Sequence, residues 1–184
     1  MTRTRFASAG IACVATAFAA SAALSGTAHA MVPESRAVTL TCVDSGGTTW
    51  ATNGPGILAS SDSGGTTAQK MKLTAPMTSP VQIPPNALTT TIRTVQTSGA
   101  GAGTAWDFAG TLNAPMNVGN PVRLGPVPAP SRLAAGTKVR LVDTSGAAPG
   151  AANWSVKIES HLAGVTVFTY CAGGQDSGTD DFTF

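Results

Sequence analysis

Charge is scarce in this chain, aromatic rings are few, and histidine is rarer still. Charged residues make up 11% and aromatics 5% of 184 residues, with two histidines and one tyrosine. Eleven Lys and Arg face nine Asp and Glu, but Arg3 and Arg5 sit at the extreme amino terminus; without them the balance is nine to nine. Such a near-neutral chain has no broad basic field, which excludes nucleic acid and anionic lipid as electrostatic partners. Three cysteines without a C-x-x-C pair, and so little histidine, exclude a structural zinc site, and no other metal or cofactor is expected. Beyond residue 30 no stretch approaches the ~20 apolar residues of a membrane helix. No window holds a helical stripe either, because proline and glycine interrupt almost every candidate.

Residues 1–30 carry the features of a secretory signal peptide. Arg3 and Arg5 give a basic start, Ala7 to Leu24 an apolar run, and Ala28-His29-Ala30 an A-x-A cleavage site. The sequence thus predicts an exported protein, with 31–175 as a single β domain and 176–184 as an acidic, solvated tail. The aspartates of that tail, Asp176, Asp180 and Asp181, offer at most weak oxygen ligands for Ca²⁺. Cys13 leaves with the signal, so Cys42 and Cys171 remain and are expected to form a disulfide.

Threonine, valine and glycine dominate the rest of the chain, as β-structure with turns requires. Val38-Thr39-Leu40-Thr41-Cys42 alternates strictly and reads as a half-buried strand with Cys42 inward. Val165 to Cys171 alternates likewise, which places the two cysteine strands opposite each other across the core. Lys70-Met71-Lys72-Leu73, Leu88 to Val95, Trp106 to Leu112, Lys138 to Val142 and Trp154 to Glu159 supply further strands. The expected fold is all-β, a Greek-key or immunoglobulin-like sandwich of about seven to nine short strands with one disulfide.

A repeated pattern suggests an alternative. Val139 to Ala147 leading to Trp154, Ile92 to Ala100 leading to Trp106, and Leu40 to Gly47 leading to Trp50 each read as a strand, a Ser-Gly turn and a returning tryptophan. Leu73-Thr74-Ala75-Pro76-Met77 and Leu112-Asn113-Ala114-Pro115-Met116 extend the similarity to the connectors. Three such hairpins would build a trefoil-like barrel, although proline-rich connectors stand where that barrel needs strands.

Asp-Ser-Gly-Gly-Thr-Thr occurs at 44–49 and again at 62–67, and its first four residues match the nucleophile motif of chymotrypsin-like proteases. The glycine that precedes that motif is replaced by Val43 and Ser61, and the one histidine left after export, His161, comes after both hexamers. Without a base a serine hydroxyl is a poor nucleophile, so both hexamers read as turns. Of the tryptophans, Trp106 shares a face with Phe108 and Leu112, and Trp154 with Val156 and Ile158, which predicts burial of both. Trp50, with Thr52 and Gly54 next along its face, is the candidate ligand-binding residue.

Ala102-Gly103-Thr104-Ala105-Trp106-Asp107 resembles a stretch of the neocarzinostatin-type apoproteins, exported immunoglobulin-like sandwiches of actinomycetes that carry an enediyne. The resemblance covers six residues, and the family's second disulfide is missing here. It implies a small exported sandwich and does not carry over the ligand. The expected function is a non-enzymatic extracellular or cell-surface module, binding or structural, with a cell-wall or extracellular glycan or a protein as partner. A carbohydrate-binding domain is the second reading and a secreted hydrolase the third.

Overall fold

A computed structural model describes residues 33–45, 54–61, 68–162 and 164–184. The segment read as a signal peptide, Trp50, and all of both hexamers except Asp44 and Ser45 lie outside them. Ten strands and no helix occur among the described residues: β1 (Ser35–Asp44), β2 (Gly54–Ser61), β3 (Lys70–Thr78), β4 (Leu88–Gln96), β5 (Ala105–Thr111), β6 (Pro121–Pro128), β7 (Lys138–Leu141), β8 (Val156–Leu162), β9 (Val165–Gln175) and β10 (Phe182–Thr183). All pair antiparallel in the order β10-β7-β4-β8-β9-β1-β2-β3-β6, with β5 on the other edge of β4. The sheet curls until β6 lies against β5, where the Gly125 N–H donates to the Leu112 carbonyl at 2.9 Å. The result is a sandwich-like all-β fold.

Alternation puts the apolar half of each strand inside. Val38, Leu40 and Cys42 of β1, Met71 and Leu73 of β3, and Val156 and Ile158 of β8 are buried in one core to which all ten strands contribute. β6 carries three prolines, which its place at the end of the pairing path tolerates because the missing N–H groups need not serve two neighbours. At the far tip of β9 the inward pattern outruns the core, and Val165, expected inside, is 59% exposed.

Cys42 and Cys171 form the expected disulfide, but not across the core. They are register partners on β1 and β9, which are neighbours in the sheet, with Cα atoms 4.0 Å apart. Two inward residues facing each other on adjacent antiparallel strands meet side by side, and that suffices for a bridge.

The two tryptophan segments described throughout, Ile92 to Trp106 and Val139 to Trp154, are not equivalent, so the trefoil alternative of repeated hairpins does not describe this fold. The third, leading to Trp50, lies partly outside the described residues. Ile92 to Trp106 forms the expected hairpin, with Arg93 opposite Asp107 and Thr94 opposite Trp106. The segment from Val139 to Trp154 is instead one interrupted strand. β7 and β8 both lie along the same edge of β4, paired with Thr94–Gln96 and with Leu88–Ile92. Between them Arg93 accepts from the Val142 N–H at 3.0 Å and donates to the Ser155 carbonyl at 2.8 Å. The residues between form a loop, closed by the Asn153 amide, which donates to the carbonyls of Thr144, Ala147 and Ala148. Gly173 holds this loop to β9: its N–H donates to Thr144 Oγ1 and its carbonyl accepts from the Thr144 N–H, both at 2.9 Å. A Cβ at Gly173 would overlap the Thr39 carbonyl oxygen, and its φ of 152° is one L side chains rarely adopt. The paired connectors differ as well, since Leu73–Met77 lies in β3 whereas Leu112–Met116 is a loop.

The end of the chain is part of the fold rather than the solvated tail expected at 176–184. β10 pairs with β7, Phe182 and Phe184 are buried, and the Phe184 ring lies 5.8 Å from that of Phe108. Its two phenylalanines outweigh the acidity that suggested a tail.

Candidate functional site

The outer face of β8 and β9 brings His161 and Tyr170 together with a phenylalanine, a lysine and a glutamate. On β8 the same alternation that buries Val156, Ile158 and Ser160 turns Lys157, Glu159 and His161 outward. On β9 it buries Thr169 and Cys171 and turns out Thr166, Phe168 and Tyr170. Register then sets Lys157 opposite Tyr170, Glu159 opposite Phe168 and His161 opposite Thr166. The rings of Phe168 and Tyr170 are half-buried, nearly parallel at 18°, with centroids 6.3 Å apart.

Polar groups continue the row. His161 Nε2 lies 3.1 Å from Glu159 Oε1, and His161 Nδ1 lies 3.1 Å from Thr166 Oγ1. This is the order hydroxyl, imidazole, carboxylate that nucleophilic catalysis uses. It lies, however, on an open strand face with the His161 side chain 56% exposed, where water competes for every hydrogen bond.

One end of the face meets Trp154, and Ser45 of the first hexamer borders it elsewhere. Trp154 is buried, as its phase with Val156 and Ile158 predicted, although it does not join the main apolar cluster. It precedes β8, so strand alternation does not govern it, and its indole lies between Arg93 (3.7 Å from guanidinium carbon to ring centre) and Lys157 (5.5 Å) on the outer face. The Ser45 N–H donates to the Phe168 carbonyl at 2.6 Å. Trp50 itself is outside the described residues. Ser45, the serine of the first hexamer, accepts from the Phe168 N–H at 3.4 Å and acts as a turn residue.

Trp106, expected in the core, is half-buried at its margin. Its Nε1–H donates to Gln96 Oε1 at 3.3 Å beside a groove at one end of the sandwich. Leu112, assigned to the same face, is 42% exposed because β5 has already ended at Thr111.

The expected tail supplies an electrostatic knot rather than ligands. Asp181 Oδ1 accepts from Arg140 Nε at 2.7 Å, and Thr97 Oγ1 donates to its other oxygen. Burial works against ionisation there, but the hydrogen bonds from Thr97 and Arg140 and the charges of Arg140 and Lys138 outweigh it and hold Asp181 below its ordinary pKa. Asp143 is also held low, by the hydroxyl and backbone N–H of Ser145. No three His, Cys, Asp or Glu side chains converge as metal ligands among the described residues. No helix there is long and apolar enough to cross a membrane.

Sequence reasoning placed Cys171 and Val167 inward without using the complement. Thr166, Phe168 and Tyr170 necessarily share the other face, and that was the available signal for this aromatic pair. Comparison with known proteins finds no family model, no curated relative and no solved structure that matches the chain.

Proposed function

We propose that this protein is an exported, non-enzymatic binding module whose ligand is an extracellular or cell-wall glycan, taken on the outer face of β8 and β9. The observation that carries the reading is the Phe168–Tyr170 pair on a solvent-facing strand, bordered by Lys157, Glu159 and His161. An aromatic ring offers an apolar surface to the C–H face of a pyranose, and flanking donors and acceptors take its hydroxyls. The signal-peptide features of residues 1–30 and the disulfide both suit an oxidising compartment outside the cytoplasm. The immunoglobulin-like connection pattern remains part of this proposal.

The test is retention on insoluble cellulose, chitin and bacterial peptidoglycan, with affinity electrophoresis through soluble glycans. Wild-type protein should be held by at least one, and the Phe168→Ala/Tyr170→Ala double variant should be released while its melting temperature stays close to wild type. Passage of the wild type through all of them, or equal retention of the double variant, sinks the proposal.

A second reading, a secreted hydrolase, is favoured by the Glu159–His161–Thr166 row alone. Turnover of ester, peptide or glycoside substrates that vanishes in both His161→Ala and Thr166→Val would establish it in place of the first.

A further inference from the structure

A second site lies at the end of the sandwich, apart from the β8–β9 face. A groove of about 350 Å³ runs between the β4–β5 turn and the loop entering β7, and Trp106 and Arg132 both line it. That volume falls in the range of small-molecule sites. Hydrogen bonds to backbone groups hold both walls. On one side the Gln96 N–H donates to the Thr104 carbonyl (2.9 Å), and the Gly103 N–H to the Gln96 carbonyl (2.8 Å). On the other, the buried Gln69 amide pairs with Leu133 in both directions, at 2.8 and 3.1 Å. The Thr137 N–H donates to the Ala134 carbonyl at 3.0 Å.

The walls are made of small residues, and this leaves the indole accessible. Ala100, Gly101, Ala134 and Ala135 line the groove where larger side chains would fill it. A Cβ at Gly101 would lie 2.6 Å from Gln96 Oε1, so a larger residue there would displace the Gln96 amide from the indole. Two hydrogen bonds hold that amide: Oε1 accepts from the indole and Nε2 donates to the Ser98 carbonyl at 2.7 Å.

The polarity is one-sided. Arg132 is the one charged residue in the lining, and no carboxylate is present there. Its guanidinium is exposed, has no ion-pair partner among the described residues, and does not stack on Trp106. The groove therefore presents a half-buried aromatic wall, apolar small-residue sides and one unpaired cation with a planar donor fork. We infer that it binds a small organic anion with a planar apolar ring, an aromatic or heteroaromatic carboxylate, with the ring against Trp106 and the carboxylate on Arg132.

Calorimetric titration of the full chain with benzoate tests this, with benzamide as the uncharged shape match and acetate as the ringless anion. Benzoate should bind with a dissociation constant of about 1 mM or tighter, a value within reach of so small a ligand. Benzamide, acetate, and benzoate on Arg132→Gln should each be weaker by about tenfold or more, as loss of a charge-assisted bond or of ring packing requires. Arg132→Gln changes an exposed side chain, so its melting temperature should match wild type. The Phe168→Ala/Tyr170→Ala variant should bind benzoate normally, which separates this site from the glycan reading. Absence of heat with benzoate at about 10 mM, about ten times the expected constant, overturns the inference. Equal affinity for acetate, or no loss in Arg132→Gln, overturns it as well.

Discussion

The guanidinium carbon of Arg93 lies 3.7 Å from the centre of the Trp154 ring, while its Nε and Nη2 donate to Asp107 at 3.1 and 3.3 Å. One side chain thus joins the hairpin partner of β4 to the end of the loop that interrupts β7 and β8. Its backbone spans the same interruption. Arg93 is therefore the hinge point at which one strand edge serves two segments of chain.

Replacing Arg93 with Ala should uncover Trp154 and lower stability by about 1–2 kcal/mol. Most of that comes from the stacked cation, since ion pairs as exposed as Arg93–Asp107 contribute little. Arg93→Lys should lose less. In a variant keeping Trp154 as its one tryptophan, emission should shift to the red on Arg93→Ala. An unchanged spectrum would mean that Arg93 does not cover the ring.

The disulfide joins residues 129 apart in sequence but adjacent in the sheet. In the chain-entropy description, closing so long a loop stabilises by about 5 kcal/mol. The ladder on either side of the bridge does not depend on it, so Cys42→Ser/Cys171→Ser should keep its β-type circular dichroism while its denaturant midpoint falls sharply. Two titratable thiols in protein purified from the medium, or a midpoint indifferent to reduction, would contradict this.

Thr90 faces the core fully buried, and its hydroxyl has no hydrogen-bond partner among the described residues. Valine has the same shape without the polar atom. Thr90→Val should therefore raise stability by about 1 kcal/mol, the cost of a buried unsatisfied hydroxyl. Thr90→Ser keeps the hydroxyl and loses a methyl, so it should move the other way. A destabilised Thr90→Val would reveal a hydrogen bond at this hydroxyl in solution.

Strict alternation made the strands readable, because an antiparallel strand with one buried face writes its pattern into every second residue. Val38, Leu40 and Cys42 gave their inward face that way, and Lys70-Met71-Lys72-Leu73 both of its faces. Neighbour identity was not written there. Cys42 and Cys171 look the same whether two strands are adjacent or opposed, and only pairing decides. Trp154 was legible as buried but its neighbours were not, because it stands two residues before its strand begins, where period two no longer says what covers it. Phe182 and Phe184 were masked by Asp180 and Asp181, although two phenylalanines two residues apart are themselves a strand signal. The aromatic pair of β9 was legible as the complement of the core face. The Trp106 groove was not, since Arg132 approaches from a loop distant in sequence.

The last expectation concerns acid. Asp181 sits just before β10, bound to Arg140 and Thr97, with a folded pKa below its ordinary 3.8. A carboxylate whose folded pKa is depressed contributes stability that is complete above the unfolded value and disappears as pH falls through the folded one. Asp181→Asn should therefore melt below wild type at neutral pH, because the amide gives up the ionic contact that anchors the strand carrying Phe182. As pH is lowered from about 5 to about 2 the wild type loses that same contact, so the two melting curves should converge. Asp143, also held low, titrates in both proteins and cancels from the difference. A gap that stays constant over this range would show that the Asp181 charge does not secure β10, and that Asn is disfavoured there on grounds of shape.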